Sequence, residues 1–179
     1  MKKTVWTFGL IAGAVMAAFM SATLPFANAF DSHSLFVGYA GMIAGFLFVY
    51  VGVRSYRNNV LGGTIGFGRA LAVGLLIATI GSICYVAPWE VMYYKFMPDF
   101  YSRYAQSVVE QARTSGKSEA EIAATQAAMA AMTKHAENPV WVAAMTFMEP
   151  FPVGLLIALV SAGLLRRKRG SRDAVPAPA

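Results

Sequence analysis

"WVAAMTFMEPFPVGLLIALVSAGLL", residues 141–165, decides the fold. Its unbroken apolar half, Pro152 to Leu165, would reach only about 21 Å as a helix, short of a hydrocarbon core of about 30 Å. To cross, the helix must include Glu149, Pro150 and Pro152 and begin near Trp141. The stretch therefore predicts one membrane helix with a proline break inside its outer end, not a short helix preceded by a loop.

Three further segments have the same character: 5–24, 35–53 and 70–89. A chain of 179 residues with 57% hydrophobic and 13% charged residues is too apolar for an ordinary soluble domain. The expectation is an all-α four-helix transmembrane bundle forming one integral membrane domain over 1–170, with a flexible cytoplasmic tail over 171–179. The first segment also imitates a secretory signal peptide, since "MKK" precedes it and the triplet Ala27-Asn28-Ala29 follows it. Its apolar run exceeds the roughly 7 to 15 residues of such signals, and Gly9 and Gly13 suit close helix packing, so a retained membrane helix is expected.

The formal net charge of +6 does not point to nucleic acid. Lys2, Lys3, Arg54, Arg57, Arg69 and the basic residues of "RRKRGSR" (166–172) all flank apolar runs on one side, which places both termini in the cytoplasm. On the opposite side, Lys95, Arg103, Arg113, Lys117 and Lys134 are balanced by acidic residues. Trp6, Tyr50, Trp89, Tyr93, Tyr94 and Trp141 fall at water interfaces in the same frame. A membrane is the expected location, and the bilayer is the first partner.

Small residues recur at helix-packing spacings: Gly41 and Gly45, Gly74 and Gly81, then Gly154, Ser161 and Gly163. They are expected to serve packing within the bundle, with a homo-oligomer as the other use. Cys84, the lone cysteine, reads as a small core residue.

The outer link over about 98–136 has a helical composition. Phe100, Tyr104 and Val108 form one stripe, and Ile122, Gln126, Met129 and Thr133 a weaker one. Gly116 is a stop, and Ser118 with Glu121 forms a capping box, so the link is expected to be a helical hairpin over the outer end of the bundle. It is a solvated spacer or a platform for an envelope protein partner.

In the inner link, Gly62, Gly63, Gly66 and Gly68 precede the third helix, but no Lys-Ser or Lys-Thr follows as a phosphate loop requires. A tight turn at the membrane surface is expected instead, where Arg54, Arg57 and Arg69 are candidate contacts for anionic lipid headgroups. His33 and His135 lack ligand spacing, so no metal, cofactor or catalytic residue is assigned.

The polar feature that stands out is Glu90 with Glu149. Glu149 lies about 24 Å along the helix from Leu165, and Glu90 about 30 Å from Ala70, so both are near the outer interface. Pro150 and Pro152 remove the amides that would reach the carbonyls of Thr146 and Met148, leaving acceptors at membrane depth. Glu90, Glu149, Trp89, Pro150 and Pro152 together make the candidate polar site.

The segments "MKKTVWTFGLIAGAVMA", "YRNNVLGGTIGFGRALAVGL", "YVAPWEVMYYKFMPDFYSRYA" and "MEPFPVGLLIALVSAGLLRRK" resemble the bacterial membrane family catalogued as domain of unknown function 4199. The likeness covers nearly the whole chain. It implies a four-helix inner-membrane protein and brings no activity, cofactor or catalytic residue. The leading expectation is a non-enzymatic accessory or assembly component of the cell envelope. The alternative is a small transporter or proton-coupled permease using Glu90 and Glu149, and the third an intramembrane enzyme acting on lipid-like substrates.

Overall fold

The computed structural model describes residues 1–23 and 32–166. Asp31, the side chain of His33, the Ala27-Asn28-Ala29 triplet and the tail beyond Arg166 lie outside the described residues. The chain is all-α: α1 (Lys2–Thr23), α2 (Ser32–Asn59), α3 (Phe67–Phe96), α4 (Phe100–Thr114), α5 (Glu119–His135), α6 (Pro139–Met148) and α7 (Pro150–Leu165). Among the described residues four spans are long and apolar enough to cross a membrane, the last combining α6 and α7 as Pro139–Leu165. In lipid, backbone polar groups must be satisfied within the segment, which long apolar runs achieve as helices.

Glycine contacts give the direction and register of packing. A Cβ at Gly9 would approach Ile80, and one at Gly13 would collide with Cys84, so α1 and α3 run parallel. Gly41 lies against Phe19 and Gly52 against Phe8, which makes α1 and α2 antiparallel. Gly74 meets Ala158 and Gly154 meets Ala78, making α3 and α7 antiparallel as well. The result is an up-down-up-down bundle with α3 at its centre, packed on α1, α2, α6 and α7. Its core contains Met16, Met42, Phe46, Val49, Val53, Ile77, Ala78, Ala158 and Ala162. The small-residue spacings thus serve intramolecular contacts, except Gly163, whose Cα faces open space.

The inner link makes a tight turn because Gly62 and Gly63 adopt φ of +66° and +96°, which residues with a Cβ rarely adopt. The Gly63 amide donates to the Arg57 carbonyl at 2.9 Å, closing the end of α2. Gly66 and Gly68 have no positive φ, so only half of the glycine cluster is needed for the turn itself.

The link between the third and fourth spans is the expected hairpin. Gly116 turns the chain with φ +70°, and Ser118 caps α5 through the reciprocal bonds of a capping box with Glu121. Its packing differs from the sequence expectation. α4 and α5 pack chiefly on each other and touch the bundle at their base, where Phe100, Tyr101 and Ala136 join Trp89, Tyr93, Trp141 and Val142. The inward faces are Tyr101, Ala105, Val108 and Ala112 on α4, and Ile122, Thr125, Met129 and Met132 on α5. Tyr104 and Gln126 are exposed. Alanine supplies the close contact, so a search for large apolar residues sets the stripe one position off.

Candidate functional site

The candidate site lies where α3 meets the break between α6 and α7. The third helix does not end at Trp89 as expected: α3 continues to Phe96 with Pro88 inside it. Proline removes one amide donor, that to the Cys84 carbonyl, and the helix closes around the loss. The extra two turns carry Glu90, Tyr93 and Tyr94 on a regular helix. The Tyr93 and Tyr94 hydroxyls both donate to the Ala136 carbonyl, at 3.3 and 3.5 Å, tying the end of α5 to α3.

From the other side, the Asn138 side chain caps α6 by accepting from the Val140 amide at 2.9 Å. α6 ends at Glu149, whose φ of −74° and ψ of −58° are still helical. The break is therefore a lapse in hydrogen bonding caused by Pro150 and Pro152, while the backbone path stays helical. Pro150 is buried and Pro152 exposed. Continuing the register of Gly74 on Ala158 and Ala78 on Gly154 by one turn sets Ser82 opposite Pro150. Ser82 is fully buried, and its hydroxyl has no hydrogen-bond partner among the described residues.

The two carboxylates have different surroundings. Glu149 lies within electrostatic reach of the buried Tyr85 hydroxyl. Its own side chain is exposed on the bundle surface, in the stripe that includes Met145, Met148, Pro152 and Leu156. Glu90 is half-buried, with its Oε1 enclosed and lacking a hydrogen-bond partner among the described residues. The adjacent Trp89 indole nitrogen is enclosed and unpartnered in the same sense. It lies near the Tyr101 hydroxyl without reaching hydrogen-bond geometry.

Tyr101, from the base of the hairpin, lies within electrostatic reach of both. Burial pushes its hydroxyl up to about 12, Tyr93 adds to the rise, and the charges of both Glu90 and Glu149 act in the same direction, while Trp89 partly opposes them. Around it the rings pack edge to face, with centroids 5.1 Å apart for Tyr93 and Tyr101, and 6.0 Å for Tyr101 and Trp141. Trp89 meets Phe100 at 5.0 Å. The site is thus an aromatic cluster flanked by two carboxylates, and neither has an ion-pair partner among the described residues.

Sequence reasoning singled out Glu90, Glu149, Trp89 and the two prolines as candidates and did not name Tyr85, Ser82 or Tyr101 for the site. Tyr85 had a signal, since it lies four residues before Trp89 and shares its helix face. Tyr101 had only the general one of an aromatic residue near the interface.

At the opposite end of the bundle, Arg57 donates from Nη1 to the Leu165 carbonyl at 3.4 Å and from Nε to Asn58 Oδ1 at 2.9 Å. It satisfies a carbonyl at the C-terminus of α7, a role a lipid contact alone does not describe. Arg54 and Arg69 are exposed at the same end. Among the described residues no group of three or more His, Cys, Asp and Glu is placed to hold a metal ion.

The chain belongs to the family described as proteins of unknown function (DUF4199), whose model matches residues 7–167. No curated protein and no solved structure matches it. It is a bacterial multi-pass membrane protein.

Proposed function

We propose that the chain is a non-enzymatic accessory or assembly component of the bacterial inner membrane, with both termini cytoplasmic, that presents the α4–α5 hairpin outside to an envelope protein. The observation that carries this reading is the way the hairpin is mounted. It is fastened at its base by Tyr93, Tyr94 and the aromatic cluster, while the rest of its length packs on itself. α5 buries none of its residues, so a face of about 25 Å is left to a second molecule.

Photo-crosslinking residues placed at Ala124 and Ala128, both exposed on α5, test it in cells. A discrete protein adduct at these positions, absent from a probe at lipid-facing Leu156, is the expected result. Equal, diffuse labelling at all three positions would remove the partner reading.

A small transporter or proton-coupled permease using Glu90 and Glu149 is the second reading. It is favoured by the enclosed, unpartnered Oε1 of Glu90 and the broken helix at Glu149. Solute or proton flux in vesicles that is lost in Glu149→Gln would replace the first reading with this one.

A further inference from the structure

The joint between α5 and α6 is short, and the hairpin stands on it. α5 ends at His135 and α6 begins at Pro139, with Ala136, Glu137 and Asn138 between them. Backbone bonds close this link: the Glu137 amide donates to the Lys134 carbonyl at 3.3 Å, and the Asn138 amide to the His135 carbonyl at 3.0 Å. From α3, the Tyr93 and Tyr94 hydroxyls reach the Ala136 carbonyl. The rest of α5 packs chiefly on α4, so whatever steadies these few residues sets how firmly the hairpin is mounted.

Two rings lie face to face across the link. The His135 imidazole and the Trp141 indole have centroids 5.8 Å apart and planes inclined by only 21°. The neighbouring pairs Tyr101–Trp141 and Trp89–Phe100 meet edge to face instead. A cation within about 6 Å of an indole centroid is attracted by the ring quadrupole, so the strength of the stack depends on whether the imidazole is charged.

That charge is free to change. His135 is exposed while Trp141 is half-buried, so water delivers the proton to one ring and not the other. Imidazole is the side chain that ordinarily exchanges its proton between about pH 5 and 8. His135 also closes the last turn of α5, where the unpaired carbonyls favour a positive charge. Lys134 and Glu137 line the same open groove of about 450 Å³ with Ala131 and Asn138, and their charges are of opposite sign. Tyr101 of α4 approaches Trp141 at 6.0 Å, and Tyr93, Tyr94 and Glu90 face the joint from α3. Phenols exchange protons well above the imidazole range. A response belonging to Glu90 or Glu137 would survive removal of the imidazole.

We propose that the His135–Trp141 stack is a pH-responsive clasp: the protonated imidazole draws the end of α5 against α6, and loss of the proton loosens the joint that carries the hairpin. The clasp goes beyond the partner reading and does not depend on it, since it acts on the joint itself with no second molecule present.

The full chain in nanodiscs is followed by hydrogen exchange from about pH 5.5 to 8. The amides of Ala136, Glu137, Asn138, Trp141 and Val142, all hydrogen-bonded at the joint, are compared with their intrinsic exchange rate at each pH. Their protection should rise roughly two- to fivefold on acidification, the size of an exposed cation–π contact. Tryptophan emission, taken as the difference between wild type and Trp141→Leu, should fall over the same interval, because an imidazolium in ring contact quenches indole. His135→Gln, which keeps an exposed polar side chain at the end of α5, and Trp141→Leu should each flatten the protection profile. A profile that is flat in the wild type overturns the proposal. So does a pH response that persists in His135→Gln, which assigns it to Glu90 or Glu137. Should either variant aggregate, the other variant and the wild-type profile decide.

Discussion

Gly13 and Gly163 both lie in membrane helices, but a Cβ at Gly13 would collide with Cys84, while one at Gly163 meets nothing within 4 Å. Gly13→Val should therefore lower stability by about 1–3 kcal/mol in a reversible unfolding titration, and Gly163→Val should leave it nearly unchanged. Spacing alone does not separate the two, because small residues mark a close approach only when another backbone stands opposite. Tyr101 shows the same dependence on partners brought from afar. Its hydroxyl, raised to about 12 by burial, Tyr93 and the two carboxylates, should ionise well above an ordinary tyrosine near 10. The difference in absorbance titration between wild type and Tyr101→Phe should appear only at the alkaline end. An early difference, near pH 10, would mean that the hairpin base is open to water.

At the scale of the element, α5 is held at its start by the capping box. The Glu121 carboxylate lies below its usual range because the Ser118 hydroxyl and amide both donate to it. A carboxylate lowered on folding contributes stability above its unfolded pKa, and that contribution disappears as pH falls through the folded value. The protection of amides 118–122 relative to their intrinsic exchange rate at each pH should fall selectively on acidification, and Ser118→Ala should abolish that pH dependence. Losing the Asn138 cap on α6 should cost about 1 kcal/mol in Asn138→Ala, read as a lower unfolding midpoint. The Ser118 cap was legible in the sequence because it is local, Ser118 and Glu121 being three residues apart. The stripe of α4 was less so, since Ala105 and Ala112 count as inward only once α5 lies against them. The end of α3 was missed for a related reason. The apolar run stops at Trp89, and a contact that holds α3 beyond it comes from Ala136, far along the chain.

For the whole molecule, four spans and the side on which their basic ends gather follow from apolar length and charge, which need no knowledge of partners. The candidate site was half legible: its carboxylates and prolines stand out in apolar surroundings, but Tyr85 and Tyr101 gain meaning only from the meeting of three elements. Because the hairpin touches the bundle at its base only, replacing 102–134 by a short flexible linker should leave the membrane core folded. Circular dichroism should show the loss of two helices with the thermal transition retained; collapse of the transition would show that the hairpin supports the bundle. The place of the hairpin between α3 and α6 also sets a clock during synthesis. From Met97 to Leu165 a ribosome adding about 5–20 residues per second needs on the order of several seconds. Throughout that interval α1, α2 and α3 have already been made, and the surface of Gly74, Ala78 and Phe46 that later receives α7 faces lipid or an insertion factor. The bond from Arg57 to the Leu165 carbonyl can form only after α7 has been made, so a three-helix stage with the seam of Gly74, Ala78 and Phe46 uncovered precedes the complete bundle.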